Sequence, residues 1–176
     1  TDLMARTHPH QWLVYSLGDG DQPYRLLEAH KPGVELTTLR ESCGDALVAL
    51  RPRLDKRAKA QALLEAFRHL GKPYDFDFDF ATDHALVCTE VVWRAYRPAE
   101  GKAGLDLPVI DVAGRKALPA NEIARAYVRD RGTDAALFDF VAFIDVHEEE
   151  KRSVFATEAD FLTTPDRAKW SPFKGE

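Results

Sequence analysis

Two cysteines, Cys43 and Cys88, supply the thiols of this 176-residue chain, and Cys88 has the surroundings that suit chemistry. It follows the apolar Ala85-Leu86-Val87 and opens a segment in which Val91, Val92, Ala95 and Tyr96 recur at helical spacing before Pro98 ends it. A cysteine on the first residue of a helix meets unpaired backbone N–H groups and the positive end of the helix dipole. Both favour the thiolate, which is the reactive form. The same N–H groups can hold the oxyanion that forms when a thiolate attacks a carbonyl. The plainer reading is a small buried hydrophobe beneath Trp93 and Tyr96, since free cysteines are mostly buried.

A nucleophilic thiolate needs an imidazole within hydrogen-bond reach to take and return protons. The chain offers His8 and His10 in Thr7-His8-Pro9-His10-Gln11-Trp12, and His84 four residues ahead of Cys88. A surface His-Pro-His turn is the competing reading of the first pair. His30, His69 and His147 are scattered without ligand spacing, and His69 falls on the charged side of its expected helix. Asp75, Asp77 and Asp79 suggest calcium at first sight. An EF-hand loop, however, wants Gly at its sixth place and Glu at its twelfth, which here are Phe80 and Leu86, so the three read as the solvated face of a strand. Neither cysteine belongs to a CxxC pair, and a zinc site would need scattered ligands. No metal site or cofactor is expected.

Gly71-Lys72-Pro73-Tyr74-Asp75-Phe76, followed by Val87-Cys88-Thr89-Glu90-Val91-Val92, resembles the bacterial YiiX/YebB-like proteins, the permuted branch of the NlpC-type, papain-like cysteine hydrolases. Upstream, Thr1-Asp2-Leu3-Met4, Leu27-Glu28-Ala29 and Gly33-Val34 are similar to the same group in the right order, so the resemblance covers roughly residues 1–97. It implies Cys88 as nucleophile, a histidine on an earlier strand as base, Glu28 as the group that orients the imidazole, and Tyr74 as an oxyanion or substrate-binding hydroxyl. Counted back from Leu17-Gly18, the family's histidine slot falls near Trp12, about two residues from His10. His10 is the expected base, His8 is its rival, and a non-catalytic binding or scaffold module is the alternative if neither serves. Glu90 reads as structural, paired with a neighbouring element or with the helix N-terminus. The implied activity is a cysteine hydrolase or acyltransferase working through a Cys thioester on amide or ester bonds. The candidate substrates are cell-wall peptides and lipid acyl groups, and the resemblance points to the bacterial envelope.

The elements that must position these residues can be read from pattern. Residues 12–17 and 24–29, separated by Gly18-Asp19-Gly20-Asp21, read as a hairpin. With 34–39 and 46–50 they suggest an antiparallel meander. Leu63, Phe67 and Leu70 at helical spacing, with Gly71-Lys72-Pro73 as the stop, predict a helix over 54–70. Residues 74–80 alternate strictly, which predicts a strand with its rings on one face. A long loop over 101–119, a helix over 121–130, a strong strand over 138–144 and a charged, irregular tail with a short helix near 157–163 complete the reading. The fold class is α+β: a circularly permuted papain-like domain over 1–176, in which a sheet carrying His10 and Glu28 packs against the helix that begins at Cys88.

Composition sets the outer bounds. At 45% hydrophobic and 30% charged, the chain suits one globular domain. Twenty-four basic residues against 29 acidic ones give a net charge of −5, ordinary for a soluble surface and without the basic stripe that nucleic-acid binding requires. No apolar run approaches the roughly 20 residues of a membrane-spanning helix. The chain begins at Thr1 without a methionine, as a processed or trimmed form, or a domain released from a larger protein, would. Oligomeric state is not readable from sequence.

Overall fold

The structure, a computed structural model, describes residues 6, 18–19, 22–23, 25–39, 41–42, 46–112, 114–147 and 152–167. In chain order the elements are β1 (Gly18–Asp19), β2 (Gln22–Pro23), β3 (Leu26–Ala29), β4 (Val34–Thr37), β5 (Ala46–Pro52), α1 (Lys56–Phe67), α2 (Cys88–Tyr96), β6 (Ile110–Val112), β7 (Arg115–Ala117), α3 (Ala120–Asp130), β8 (Phe138–His147), β9 (Arg152–Ala156) and α4 (Glu158–Leu162). His8, His10, Cys43, residues 1–4 and the strand expected over 12–17 lie outside the described residues. Among the described residues no helix is long and apolar enough to cross a membrane.

The strands do not form the expected meander. Among the described residues β3 and β4 pair only with each other, while β5 pairs antiparallel with β8, from Ala46 opposite Asp145 to Pro52 opposite Phe138. On its other edge β8 pairs with β9, which the charged tail had concealed. Local alternation shows that a segment is extended but not which strand it joins; here the partner of β5 lies some ninety residues away along the chain. The expected loop over 101–119 likewise contains the hairpin β6–β7, turned at Gly114 with φ 81°.

α1 starts where the Asp55 carboxylate accepts the Ala58 N–H at 2.7 Å and gives way to Gly71 at φ 81°, a conformation suited to glycine. Its buried stripe is Ala58, Ala62 and Ala66 rather than Leu63, which is 40% exposed. Small side chains let α1 lie close against α2. His69 continues that stripe and is buried, not on the charged face expected from sequence.

Among the described residues two clusters make the core. The larger gathers Phe80, Val87, Leu105, Leu107, Leu118, Tyr127, Phe138, Phe143 and Phe161. The smaller joins Ala29 and Val34 of the β3–β4 ribbon to Leu86 and Val91. The α2 segment contributes Val87 to the first and Val91 to the second, so it is fixed from two sides.

Residues 74–80 are not a strand. Asp75 is buried, and its carboxylate accepts the N–H groups of Asp77 at 2.9 Å and Asp79 at 2.7 Å, which folds the segment into turns. The rings therefore part: Phe80 enters the core while Phe76 and Phe78 face solvent.

Candidate active site

Cys88 occupies the first position of α2, and its side chain is exposed and free. Val87 ahead of it is extended (φ −90°, ψ 164°), and no side chain caps the helix start. Among the described residues no side chain accepts the first-turn N–H groups beside the thiol, which leaves them able to donate to an oxyanion.

The segment ahead of Cys88 is held by a relay of backbone bonds that begins on the β3–β4 ribbon. Val34 N–H donates to the Lys72 carbonyl and Gly71 N–H to the Val34 carbonyl, both at 2.9 Å, and Tyr74 N–H donates to the Pro32 carbonyl at 3.1 Å. Leu86 N–H then donates to the Pro73 carbonyl at 3.0 Å, and Asp75 N–H to the Leu86 carbonyl at 3.2 Å. Gly33 is required at this junction, because a Cβ there would overlap the Lys72 carbonyl. The Gly-Lys-Pro-Tyr stretch is therefore the joint between the ribbon carrying Glu28 and the strand-like segment that delivers Cys88.

Tyr74, half-buried on that joint, has its hydroxyl pKa raised, first by burial and then by its acidic neighbours Cys88 and Asp75. Its hydroxyl stays protonated across the neutral range and lies within electrostatic reach of the sulfur. Glu28 lies on β3, in the ribbon that packs on α2. One of its carboxylate oxygens accepts the Thr37 hydroxyl at 2.6 Å and the other the Ser42 hydroxyl at 2.7 Å. The turn that presents Ser42 is ordered by Glu41, whose carboxylate accepts the Thr38 N–H and hydroxyl, both at 2.9 Å, and is held below the usual range by those bonds. His84 is exposed, and among the described residues no imidazole is hydrogen-bonded to the Cys88 sulfur.

An ion network absent from the sequence reading braces the approach to Cys88. Glu90 is fully buried, one turn into α2, and Arg94 meets it from the next turn at 2.6 and 2.8 Å. Burial pushes the Glu90 carboxyl up, and Arg94 and the Val87 N–H oppose that shift. Glu90 was expected to pair with a neighbouring element or with the helix N-terminus; its ion-pair partner is instead Arg94 of the same helix. Arg94 also pairs with Asp83 and donates to the Thr82 carbonyl at 2.6 Å, fastening the turn that leads into residues 84–87. The i,i+4 spacing of Glu90 and Arg94 was the available sequence signal. Among the described residues no group of three or more His, Cys, Asp or Glu side chains is placed to hold a metal ion.

A profile described as "permuted papain-like amidase enzyme, YaeF/YiiX, C92 family" matches residues 8–156. The chain belongs to the permuted papain-like amidase family. Within 36 residues it is 53% identical to the "uncharacterized protein YiiX" of Escherichia coli (strain K12), a match that spans 20% of this chain and 17% of that relative. A crystal structure of "metalloprotein yiiX" from Escherichia coli O157:H7 superposes with a TM-score of 0.44 and 26% identity over 71% of this chain and 69% of that one. The YiiX-like resemblance read from the Gly-Lys-Pro-Tyr and Val-Cys-Thr-Glu stretches is thereby established at the level of the family.

Proposed function

We propose that this chain is a cysteine hydrolase in which Cys88 attacks the carbonyl of an amide or ester. The exposed thiol at the uncapped start of α2 carries this reading, together with membership of an amidase family. In the reaction the Cys88 sulfur forms a bond to the carbonyl carbon, and the oxygen of the tetrahedral intermediate takes the negative charge. The N–H groups of the first turn and the Tyr74 hydroxyl donate to that oxygen. Collapse breaks the bond to the amine or alcohol, which leaves with a proton from the imidazolium of the base. His10 is assigned that role, with His8 as its rival, and Glu28 orients the ring. Water then attacks the thioester and returns the free thiol; an acyl acceptor other than water would make the protein an acyltransferase. The substrate bond lies in a cell-wall peptide or a lipid acyl group, and residues 1–176 act as one domain.

One observation favours the non-catalytic alternative, a papain-like binding module. Both Glu28 oxygens already accept hydroxyls, so in this arrangement the carboxylate serves the ribbon. The test is the pH dependence of iodoacetamide labelling, read separately at Cys88 and Cys43 by peptide mass, in the wild type and in His10→Ala. The reading requires Cys88 to outpace both Cys43 and a free model thiol near neutral pH, and His10→Ala to remove that lead. Equal rates for Cys88 and the model thiol would overturn it.

A further inference from the structure

His69 is 6% exposed, and neither nitrogen of its imidazole has a hydrogen-bond partner among the described residues. Buried polar groups are nearly always bonded, so two orphaned ring nitrogens call for an explanation. The ring lies three residues beyond Ala66, the end of the alanine stripe that α1 lays against α2. Charged groups surround it without bonding to it. On its own helix, Glu65 comes to 3.7 Å, too far for a hydrogen bond, and the other oxygen of that carboxylate is taken by Arg68 at 2.7 Å. Lys72 acts on the ring from the turn after α1, Asp83 from the turn ahead of Cys88, and Arg94 from α2. Asp83 is paired with Arg94, and Lys72 donates to the Asp83 carbonyl at 2.7 Å. Also on α2, Glu90 holds Arg94 with one oxygen and leaves Oε2 buried and unpartnered, while Lys102, in the loop after α2, lies within electrostatic reach of Glu65. A neutral ring fits this setting and a charged one does not. Burial, and then Lys72, hold the imidazole pKa below its usual value; Arg94 adds to the effect, while Glu65 and Asp83 oppose it.

We propose that His69 is an acid-operated latch between α1 and α2, closed while its ring is neutral and opened when a ring nitrogen takes a proton from solvent. No other bond forms or breaks. The imidazolium then stands near the Arg94 guanidinium in an interface that screens charge poorly, and it needs a carboxylate. The two that act on it are committed, Glu65 to Arg68 and Asp83 to Arg94. Drawing Asp83 away strips Arg94 of an anchor on the turn that leads to Cys88. Expelling the ring instead parts α1 from α2. Either way the segment over residues 82–87 loses its brace, whether or not the Cys88 thiol is a nucleophile. Because the folded chain binds this proton less readily than the unfolded one, the closed state is fully favoured above the usual imidazole value of about 6.5 and loses ground as pH falls through it. Two neighbours titrate differently. Glu90, whose carboxyl burial pushes up, takes a proton with the opposite effect on stability, and Asp83, which Arg94 holds below the usual range, loses its charge only at lower pH.

Hydrogen exchange on the full chain, read by mass spectrometry from about pH 7.5 to about pH 5 and corrected for intrinsic exchange rates, tests the latch. The peptide over 83–94 carries the Leu86 and Val91 amides, bonded to the Pro73 and Val87 carbonyls, and the β5 strand over 46–52 is the internal reference. An opening that takes up one proton changes by at most about tenfold per pH unit, so protection over 83–94 is expected to fall at least about fivefold across the range while that over 46–52 stays within about twofold. In His69→Leu, which fills the site with apolar atoms, the fall is expected to vanish. His69→Gln, neutral at every pH, is expected to behave the same way and serves if the leucine variant does not fold. Wild-type protection over 83–94 that does not change with pH overturns the latch. So does a fall that persists in a folded His69 variant, since another group would then be titrating. An equal fall over 46–52 and 83–94 also overturns it, because the whole domain rather than one interface would be responding to acid.

Discussion

Glu28 shows how one side chain ties the two strands of the ribbon to the turn beyond them. Glu28 is surrounded by donors, with Thr37 across the ribbon and Ser42 on the turn beyond it. A carboxylate accepting two hydroxyls is a firm anchor, and an amide in its place presents one oxygen where there were two. Glu28→Gln is therefore expected to lower stability by about 1–2 kcal/mol, and Thr37→Val by about 1 kcal/mol, in urea unfolding. The two variants separate anchoring from orientation. If Glu28 also orients the base, Glu28→Gln lowers the His10-dependent part of Cys88 labelling while Thr37→Val spares it. Equal labelling in both would confine Glu28 to an anchoring role.

At the scale of the element, α2 is a short helix under several constraints. Its apolar side is shared between two cores, and its remaining buried side carries Glu90 and Arg94. Removing one member of a buried pair leaves the other charged and unpaired, which costs about 3–5 kcal/mol, whereas replacing both by apolar or neutral groups costs far less. Arg94→Ala is expected to fall in that range, and the Glu90→Gln/Arg94→Met double variant to recover more than half of the loss in thermal or urea unfolding. Additive losses in the double variant would show that the two do not act as a unit. Because Arg94 also grips Thr82 and Asp83, its loss frees the turn ahead of Cys88 as well as the helix.

Across the whole molecule, the junction at Gly33 couples the Glu28 ribbon to the Cys88 segment through Lys72, Pro73 and Leu86. Gly33→Ala drives a methyl group into the Lys72 carbonyl, which cannot retreat without breaking the backbone bonds on both sides. It is expected to cost more than about 2 kcal/mol and to slow Cys88 labelling even though the substitution lies on another element. A Gly33→Ala protein with wild-type stability and labelling would show that the joint is not what sets the geometry.

The sequence alone determined the elements whose signals are local. The period of α2 and α3, the Gly-Pro stop after α1, the strong strand β8 and the short helix α4 were all legible, because helical spacing and punctuation act within a few residues. The ordered motifs around Gly71 and Cys88 were specific enough to reach the family. Tertiary structure decided what depends on distant partners. It placed β5 beside β8 and β9, where ladder bonds join segments far apart in the chain. It put the alanine stripe and His69 of the α1 region inside, because close packing on α2 favours small side chains over Leu63. It also folded the alternating 74–80 stretch into turns with two rings out and one in, since the buried Asp75 carboxylate is satisfied by the N–H groups of Asp77 and Asp79. Periodicity records how each residue stands relative to its neighbours, and only the packed chain settles which polar groups are buried together.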